Sequence, residues 1–286
     1  MNKYLYIIIL LFFCLEGCVD NDEVSGRMEI FEKPELSDAT AANRKIKEMF
    51  EKYNTYCKYE FTTDEYEWDW TTRNSMEYTL AEEEYVPEVL DSLDKWVFQI
   101  FPEEFSKKYG PLNVLMVDSL GFVDAESIIN WDTWEVEYVY YFHYVEGGEL
   151  ATNYMAIAPV SKRFKEQNMD DLKRWWLSLF VEKMFVQLPY PTKYARISAE
   201  GYNGYIGASE DVVTKYAFVR HSRDIVLGNK IPIEQDFGDF VSFIVYTKPS
   251  EKEKYYAKNS NIKIKVELMK EYFLENFEIT LPEARE

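Results

Sequence analysis

The chain has 286 residues and carries 32 Lys and Arg against 51 Asp and Glu, a formal net charge of −19. Nucleic-acid binders need clustered basic side chains, so this balance argues against nucleic acid and against adsorption to an anionic membrane face. With 47% hydrophobic residues the chain is too apolar for disorder. Only His143 and His221 are histidines, which leaves few imidazole-based metal sites that the chain could build.

Residues 1–17 have the pattern of a lipoprotein signal peptide. Lys3 precedes the apolar run from Tyr4 to Leu15, which is shorter than the about 20 residues that span a bilayer. The ending Leu15-Glu16-Gly17-Cys18 resembles a bacterial lipobox, and the acidic residues after it resemble the surface-export signal of Bacteroides-type lipoproteins. We expect an outer-membrane, surface-exposed protein that is held to the membrane only by lipid on Cys18. Ordinary secretion with cleavage elsewhere is the alternative.

Composition divides the rest of the chain into a tether and one domain. Residues 18–36 are acidic and contain Gly26 and Pro34, which predicts a tether, whereas residues 37–286 contain no linker-like stretch. After cleavage and lipidation Cys57 is the only ordinary thiol, so no internal disulfide is expected. With no histidine nearby, Cys57 is predicted to be a packed strand residue.

Hydrophobic periodicity predicts the elements in chain order. A helix at 39–53 is followed by a strand at 55–61, an irregular segment at 62–80 and a helical stretch from 85 to 109 that Pro102 interrupts. Between 111 and 158 the period is two, and Gly147-Gly148 is predicted to turn the chain into a last strand at 151–158. Further helices are predicted at 169–189, 208–219, 234–247 and 261–277. Helix, central sheet and C-terminal helices together indicate an α+β fold.

The aromatic residues allow two interpretations. Alternation predicts that one face of the strand at 134–144 packs in the core; it comprises Trp134, Val136, Tyr138, Tyr140, Phe142 and Tyr144. The alternative is a stacking platform for sugar rings or a peptide, to which Trp131 could also contribute. For four residues in predicted loops both interpretations stay open, and these are the candidate ligand-binding residues: Trp68, Trp70, Tyr202 and Tyr205.

The helix predicted from residue 169 carries the candidate catalytic residue. Apolar side chains cover nearly its whole circumference between Leu177 and Leu188, which predicts a buried central helix. Glu182 is the single acid within that run, and a buried carboxylate is costly unless it is paired or protonated. A structural role and a functional role are both compatible with this position.

From about residue 53 to its end the chain resembles the zinc metallopeptidase lipoproteins of Bacteroides-type bacteria, which accompany outer-membrane nutrient importers. The resemblance rests on the order and spacing of several pieces: the lipobox, the tyrosine-rich strand at 53–59, Phe180-Val181-Glu182-Lys183-Met184-Phe185, Tyr190-Pro191, Gly201-Tyr202, Val213-Thr214 and Gln235-Asp236-Phe237-Gly238-Asp239. It implies a zincin-like fold, with a mixed sheet, the former active-site helix buried against it and a helical C-terminal part.

The chain departs from this family at the metal ligands. The family's helix carries His-Glu-x-x-His, in which two imidazoles bind zinc and the glutamate is the general base. Here Val181 and Phe185 occupy the two histidine positions, so Glu182 is left as a vestigial general-base position. Downstream the family's Glu-Asp-Phe-x-Glu becomes the segment 235–239, in which an acidic ligand is also changed. The resemblance therefore implies a lost zinc site, with no metal or other cofactor.

We therefore expect a catalytically inactive, metallopeptidase-like surface lipoprotein that binds a glycan or peptide or assists an outer-membrane importer. The alternative is an active hydrolase, a peptidase or glycosidase, that uses a rebuilt metal site or a carboxylate pair drawn from Glu182, Asp236 and Asp239. A third possibility is a purely structural partner that docks to an importer. The sequence contains no phosphate-binding glycine loop and no Gly-x-Ser-x-Gly nucleophile elbow.

Overall fold

The computed structural model describes residues 36–67, 76–131, 133–145, 147–203, 215–219 and 231–286. The predicted signal peptide with Cys18, nearly all of the predicted tether, and Trp68, Trp70, Tyr205 and His221 lie outside the described residues. Within the described ranges, no helix combines the length and apolar character needed to cross a membrane.

Helices and strands are interspersed in the first half of the domain, and helices follow to its end. The α-helices are α1 Ala41–Tyr53, α2 Thr63–Glu67, α3 Val86–Trp96, α4 Glu103–Tyr109, α5 Met169–Phe185, α6 Thr192–Ile197, α7 Ala199–Asn203, α8 Ile233–Tyr246, α9 Pro249–Lys258 and α10 Ser260–Phe277. The strands are β1 Tyr56–Lys58, β2 Glu77–Leu80, β3 Asn113–Asn130, β4 Glu135–Tyr144, β5 Gly148–Leu150 and β6 Met155–Ile157. This order confirms the predicted succession of helix, sheet and C-terminal helices.

The sheet is mixed. In its buried part the strand order is β1-β3-β6-β5, with β1 and β6 parallel to β3 and β5 antiparallel to β6. Cys57 lies opposite Val114, which in turn lies opposite Met155, and all three are fully buried. Burial raises the pKa of the Cys57 thiol to about 12, so this cysteine is a packed strand residue, as predicted.

The second half of β3 leaves this core and pairs with β4 to form a two-stranded antiparallel ribbon, Gly121–Tyr144, which we call the ribbon. The prediction that one face of the strand at 134–144 packs in the core is wrong. Trp134 is 74% exposed, Tyr140 68% and Tyr138 59%. The alternation was interpreted correctly as a strand, but a period of two does not require that another layer covers the apolar face.

The structure differs from three further predictions about helices and strands. The segment 62–80, predicted to be irregular, contains α2 and β2, and residues 68–75 between them lie outside the described part. Gly147 and Gly148 have positive φ and lead the chain into β5, and a second turn at 151–154 confines the strand predicted at 151–158 to β6 at 155–157. Helices α6, α7 and α9 were not predicted, and most of the helix predicted at 208–219 is outside the described residues.

Helix α5 is central and buried, as predicted. Its N-cap residue is Asn168, whose side chain accepts a hydrogen bond from the backbone N–H of Asp170. The apolar side chains from Leu172 to Phe185 are buried. It packs tightly on α8 at Gly238, where an added Cβ would clash with the backbone carbonyl oxygen of Ser178. Only glycine permits two helices to approach this closely.

Candidate functional site

The α5–α8 contact is where the metal ligands of the resembled family are expected. Val181 is fully buried and Phe185 is 7% exposed. The ring of Phe185 meets Phe237 of α8 edge-on, with centroids 5.1 Å apart, and Tyr190 at 6.3 Å. Phe237 also lies edge-on to Tyr194 at 5.7 Å. The two positions that the resemblance aligns with histidines therefore belong to a continuous aromatic and aliphatic core.

Glu182, which the resemblance predicts to be a vestigial general-base position, differs from its helical neighbours in its exposure. Its side chain is partly exposed, as is that of Lys183, whereas the rest of the run from Leu177 to Phe185 is buried. The core therefore does not fully enclose Glu182, and the high cost that the sequence implied for its carboxylate is reduced by solvent.

A buried ion pair lies behind this aromatic contact. Asp236 of α8 and Lys265 of α10 are 1% and 0% exposed, and the Lys265 Nζ atom donates to both carboxylate oxygens at 2.9 and 2.7 Å. Tyr194 and Tyr202 add hydroxyl donors to Asp236 Oδ2 at 2.8 and 2.5 Å. The Asp236 carboxylate therefore receives hydrogen bonds from three side chains, which compensates the loss of its hydration.

The remaining donors of Lys265 are also satisfied. Its Nζ atom donates to Ser198 Oγ at 2.9 Å and to the carbonyl oxygen of Ala217 at 3.0 Å. The ammonium group lies 4.1 Å from the ring centroid of Phe240 and 4.5 Å from that of Tyr194, both within cation–π range. Lys265 thus joins α8, α10 and the segment around α7 through one desolvated charge.

Burial shifts the pKa values of this cluster. It lowers the pKa of Lys265 to about 8, although the adjacent Asp236 opposes this change by favouring the charged ammonium. Burial also raises the pKa of Tyr194 and Tyr202, and the Asp236 charge adds to this rise, so both hydroxyls remain protonated donors. Tyr202 was predicted to lie in a loop; it lies in the short helix α7 and is partly buried.

The carboxylate pair of the hydrolase alternative is not presented to solvent. Asp239 is 5% exposed and accepts a hydrogen bond from Ser178 Oγ at 2.6 Å, and Asp236 is held by Lys265. A glycosidase needs two carboxyl groups that flank a substrate bond. Of the three proposed acids only Glu182 reaches the surface of the described structure.

The residues at these positions do not fit a zinc site of the family type. Val181 and Phe185 carry no ligand atom, and Asp236 is neutralised by Lys265. Among the described residues there is no group of three or more His, Cys, Asp or Glu that could hold a metal ion. His143 lies on the ribbon with its ring 5.0 Å from that of Phe122. The other histidine, His221, is outside the described part of the chain.

Sequence reasoning identified Asp236 but missed Lys265. A signal was available in the spacing, because Ile262, Lys265, Val266 and Met269 follow one another at helical intervals and all four are buried. A lysine within the apolar stripe of a helix needs an acidic partner. The segment 235–239, which the resemblance had already singled out, contains two candidate acids.

No protein-family profile matches this chain, and no curated protein matches it. Among solved structures it is similar to the crystal structure of a "putative zinc-binding metallo-peptidase" from Bacteroides caccae. The match has a TM-score of 0.54 and 14% sequence identity, and it covers 84% of this chain and 87% of the other. At this identity the similarity establishes a shared fold alone: a mixed α/β arrangement similar to that of a metallopeptidase-like protein.

Proposed function

We propose that this chain is a metallopeptidase-like surface lipoprotein that has lost its metal and its catalysis. It serves as a binding or accessory component of an outer-membrane system that imports glycans or peptides. The observation that carries the proposal is the packing of Val181 and Phe185, which stand at the two histidine positions, into the core against Phe237.

The same face of α5 cannot both bind a catalytic zinc and pack into the core. A catalytic zinc needs about three protein ligands and an open position for water. Burying a Val or Phe side chain instead stabilises the fold by about 1.5–3 kcal/mol each. Asp236 is paired with the buried counterion Lys265, so its carboxylate is occupied by an ion pair within the core and is not available to a metal. A scaffold stabilised in this way retains its surface for recognition.

Metal analysis tests the loss of zinc directly. Protein purified without chelators should contain no stoichiometric zinc, and its thermal midpoint should be the same with and without a chelator. About one zinc per chain, together with a midpoint that falls when the metal is removed, contradicts the proposal.

Substitution of Glu182 tests the proposed loss of catalysis. We expect no turnover of peptide or glycoside substrates by the wild-type chain, and no difference in stability or substrate retention between it and the Glu182→Gln variant. A turnover that Glu182→Gln abolishes, while a Glu200→Gln control leaves it unchanged, favours the active hydrolase instead.

Two measurements test the assignment to the outer membrane. Metabolic labelling with a radioactive fatty acid should mark the wild-type chain and leave a Cys18→Ser variant unlabelled and released from membranes. Co-purification of the labelled protein with an outer-membrane transporter supports the importer role. Labelling without any transporter in the purified complex contradicts that role, whereas retention on glycan or peptide arrays supports ligand binding.

A further inference from the structure

The register of the ribbon separates its residues into two different faces. Residues directly opposite one another on β3 and β4 point to the same side. One side, which we call the aromatic face, carries no charge; its residues are Gly121, Val123, Ala125, Ser127 and Ile129 of β3 with Val136, Tyr138, Tyr140, Phe142 and Tyr144 of β4. The other side, the acidic face, includes Asp124, Glu126, Glu135 and Glu137 together with Phe122, Ile128, Val139, Tyr141 and His143.

Most of the aromatic face is open to solvent. Tyr138, Tyr140 and Tyr144 are 59%, 68% and 53% exposed, and they follow one another at every second position of β4. At the tip of the ribbon Trp131 and Trp134 are 70% and 74% exposed and pack edge-on with centroids 5.8 Å apart. A row of uncharged aromatic side chains of this length is unusual on the surface of a monomer.

The exposed area matches what a stable protein interface requires. With about 200 Å² for each aromatic side chain, the exposed fractions of Tyr138, Tyr140 and Tyr144 amount to roughly 360 Å², and those of Trp131 and Trp134 at the adjoining tip to roughly 290 Å². Val123, Ile129 and Val136, which are 38–49% exposed, bring the total close to the about 800 Å² per partner of a standard interface. The surface is a strand pair and not a concavity, so it suits another flat surface better than a small ligand.

We propose that the aromatic face of the ribbon is the interface between two copies of this chain. Two such faces can stack about 10 Å apart, as sheets do in a sandwich, about a twofold axis that makes the contact self-complementary. In that arrangement the acidic face of each ribbon turns outward to solvent. The inference is independent of the proposed function, because it uses neither α5 nor the lipid anchor.

The salt dependence of association distinguishes a second copy of this chain from other partners. Each copy carries a formal charge of −19, so two copies repel one another. The ribbon residues of the contact surface are uncharged, and the Arg163 guanidinium lies beside them, 4.5 Å from the ring centroid of Tyr144 at the base of the ribbon. Salt screens the repulsion and leaves the apolar contact intact. Association of two copies should therefore strengthen as the salt concentration rises. A basic partner that recognises the acidic face would show the opposite dependence.

Adjacent tyrosines on opposite faces provide a matched pair of variants. Tyr140 lies on the aromatic face and Tyr141 on the acidic face, and both are exposed. The full chain, purified in a mild detergent, is analysed by density-matched sedimentation equilibrium at low and high sodium chloride. We expect a dimer that tightens with salt, and a dissociation constant that Tyr140→Lys raises at least about 30-fold whereas Tyr141→Lys changes it less than about threefold.

Both variants should retain the wild-type circular dichroism spectrum, which separates loss of association from loss of folding. As a second measurement, Ser127→Cys on the aromatic face of the purified chain should give a cross-linked dimer with a short bis-maleimide, and Glu126→Cys on the acidic face should not. A monomer at every salt concentration, equal effects of the two tyrosine variants, or equal cross-linking at both positions overturns the proposal.

Discussion

The two halves of strand β3 lie in different physical surroundings. Its first half, Asn113–Leu120, pairs first with the parallel strands β1 and β6 and then with the antiparallel strand β2. Most of this half is buried, with Val114, Leu115, Met116 and Val117 all fully inaccessible. Its second half, Gly121–Asn130, pairs with β4 alone over most of its length, and all its side chains from Phe122 to Ile129 are exposed. The difference teaches that apolar alternation specifies extended backbone, whereas burial depends on the layers that other segments supply.

Gly121 stands at the boundary between the halves. A Cβ at this position would clash with the carbonyl oxygen of His143 and with the ring of Phe142. The residue is buried, while its successor on the strand is exposed. The change from core strand to ribbon therefore coincides with a position where only glycine lets the β4 backbone and an aromatic ring approach β3 so closely.

The largest expected effect comes from the buried region, where charge is fully desolvated. Lys265→Met should lower the free energy of unfolding by about 3–5 kcal/mol, because it leaves the Asp236 carboxylate buried without its counterion. The double variant Lys265→Met with Asp236→Asn should recover most of this loss. Urea denaturation of the two single variants and the double variant measures the coupling. A single variant that loses less than about 1 kcal/mol contradicts the burial of this pair.

Two glycine variants compare a clash in the core with a clash at the base of the ribbon. Gly238→Ala should lower the free energy of unfolding by about 1–3 kcal/mol, since the added methyl group forces α8 away from α5. Gly121→Ala should act locally and reduce hydrogen-exchange protection of the ribbon amides while core amides keep theirs. Equal loss of protection throughout the domain in Gly121→Ala shows that ribbon and core unfold together.

The pH dependence of stability should identify the buried lysine. Folding lowers the pKa of Lys265 from near 10.4 to about 8, so between these values the unfolded chain binds more protons and the free energy of unfolding rises with pH. The slope is at most about 1.4 kcal/mol per pH unit. Above about pH 10 stability should fall, because unfolded tyrosines ionise while the pKa values of Tyr194 and Tyr202 are raised by folding.

The control for this experiment is the double variant of Lys265 and Asp236. It should lose the rise above pH 8 and keep the fall above about pH 10, since its tyrosines remain buried. Urea midpoints at half-unit pH intervals provide the comparison. A wild-type curve that is flat from pH 8 to 9.5, and parallel to that of the double variant, is the contrary result.

The smallest effect compares the same substitution in the two halves of β3. Val114 is fully buried and Val123 is 42% exposed. Val114→Thr places a hydroxyl in the core and should cost about 1–3 kcal/mol, whereas Val123→Thr should change stability by less than about 0.5 kcal/mol. Thermal unfolding of both variants checks this. Similar losses in both would mean that the ribbon is covered in solution, as association through its aromatic face predicts at high protein concentration.

The sequence allowed the type and order of most elements to be predicted, because α1, α5, α8 and α10 carry long apolar periodicities. The short helices α6 and α7 are too brief for a period to be recognised. The candidate site was located through the resemblance at Val181, Phe185 and the segment 235–239, but the buried lysine that pairs with Asp236 was not. Lys265 meets Asp236 only through the packing of distant helices, and no local pattern records a contact between residues 29 positions apart.

The buried pair also links the packing of α8 to that of the last helix. Without α10, the Asp236 carboxylate has only tyrosine hydroxyls as side-chain partners. Enclosing an unneutralised carboxylate is unfavourable, so α8 packs fully against its neighbours only together with α10. The C-terminal helix is therefore required for a closed core, although its lysine is 29 positions away from the carboxylate that it neutralises.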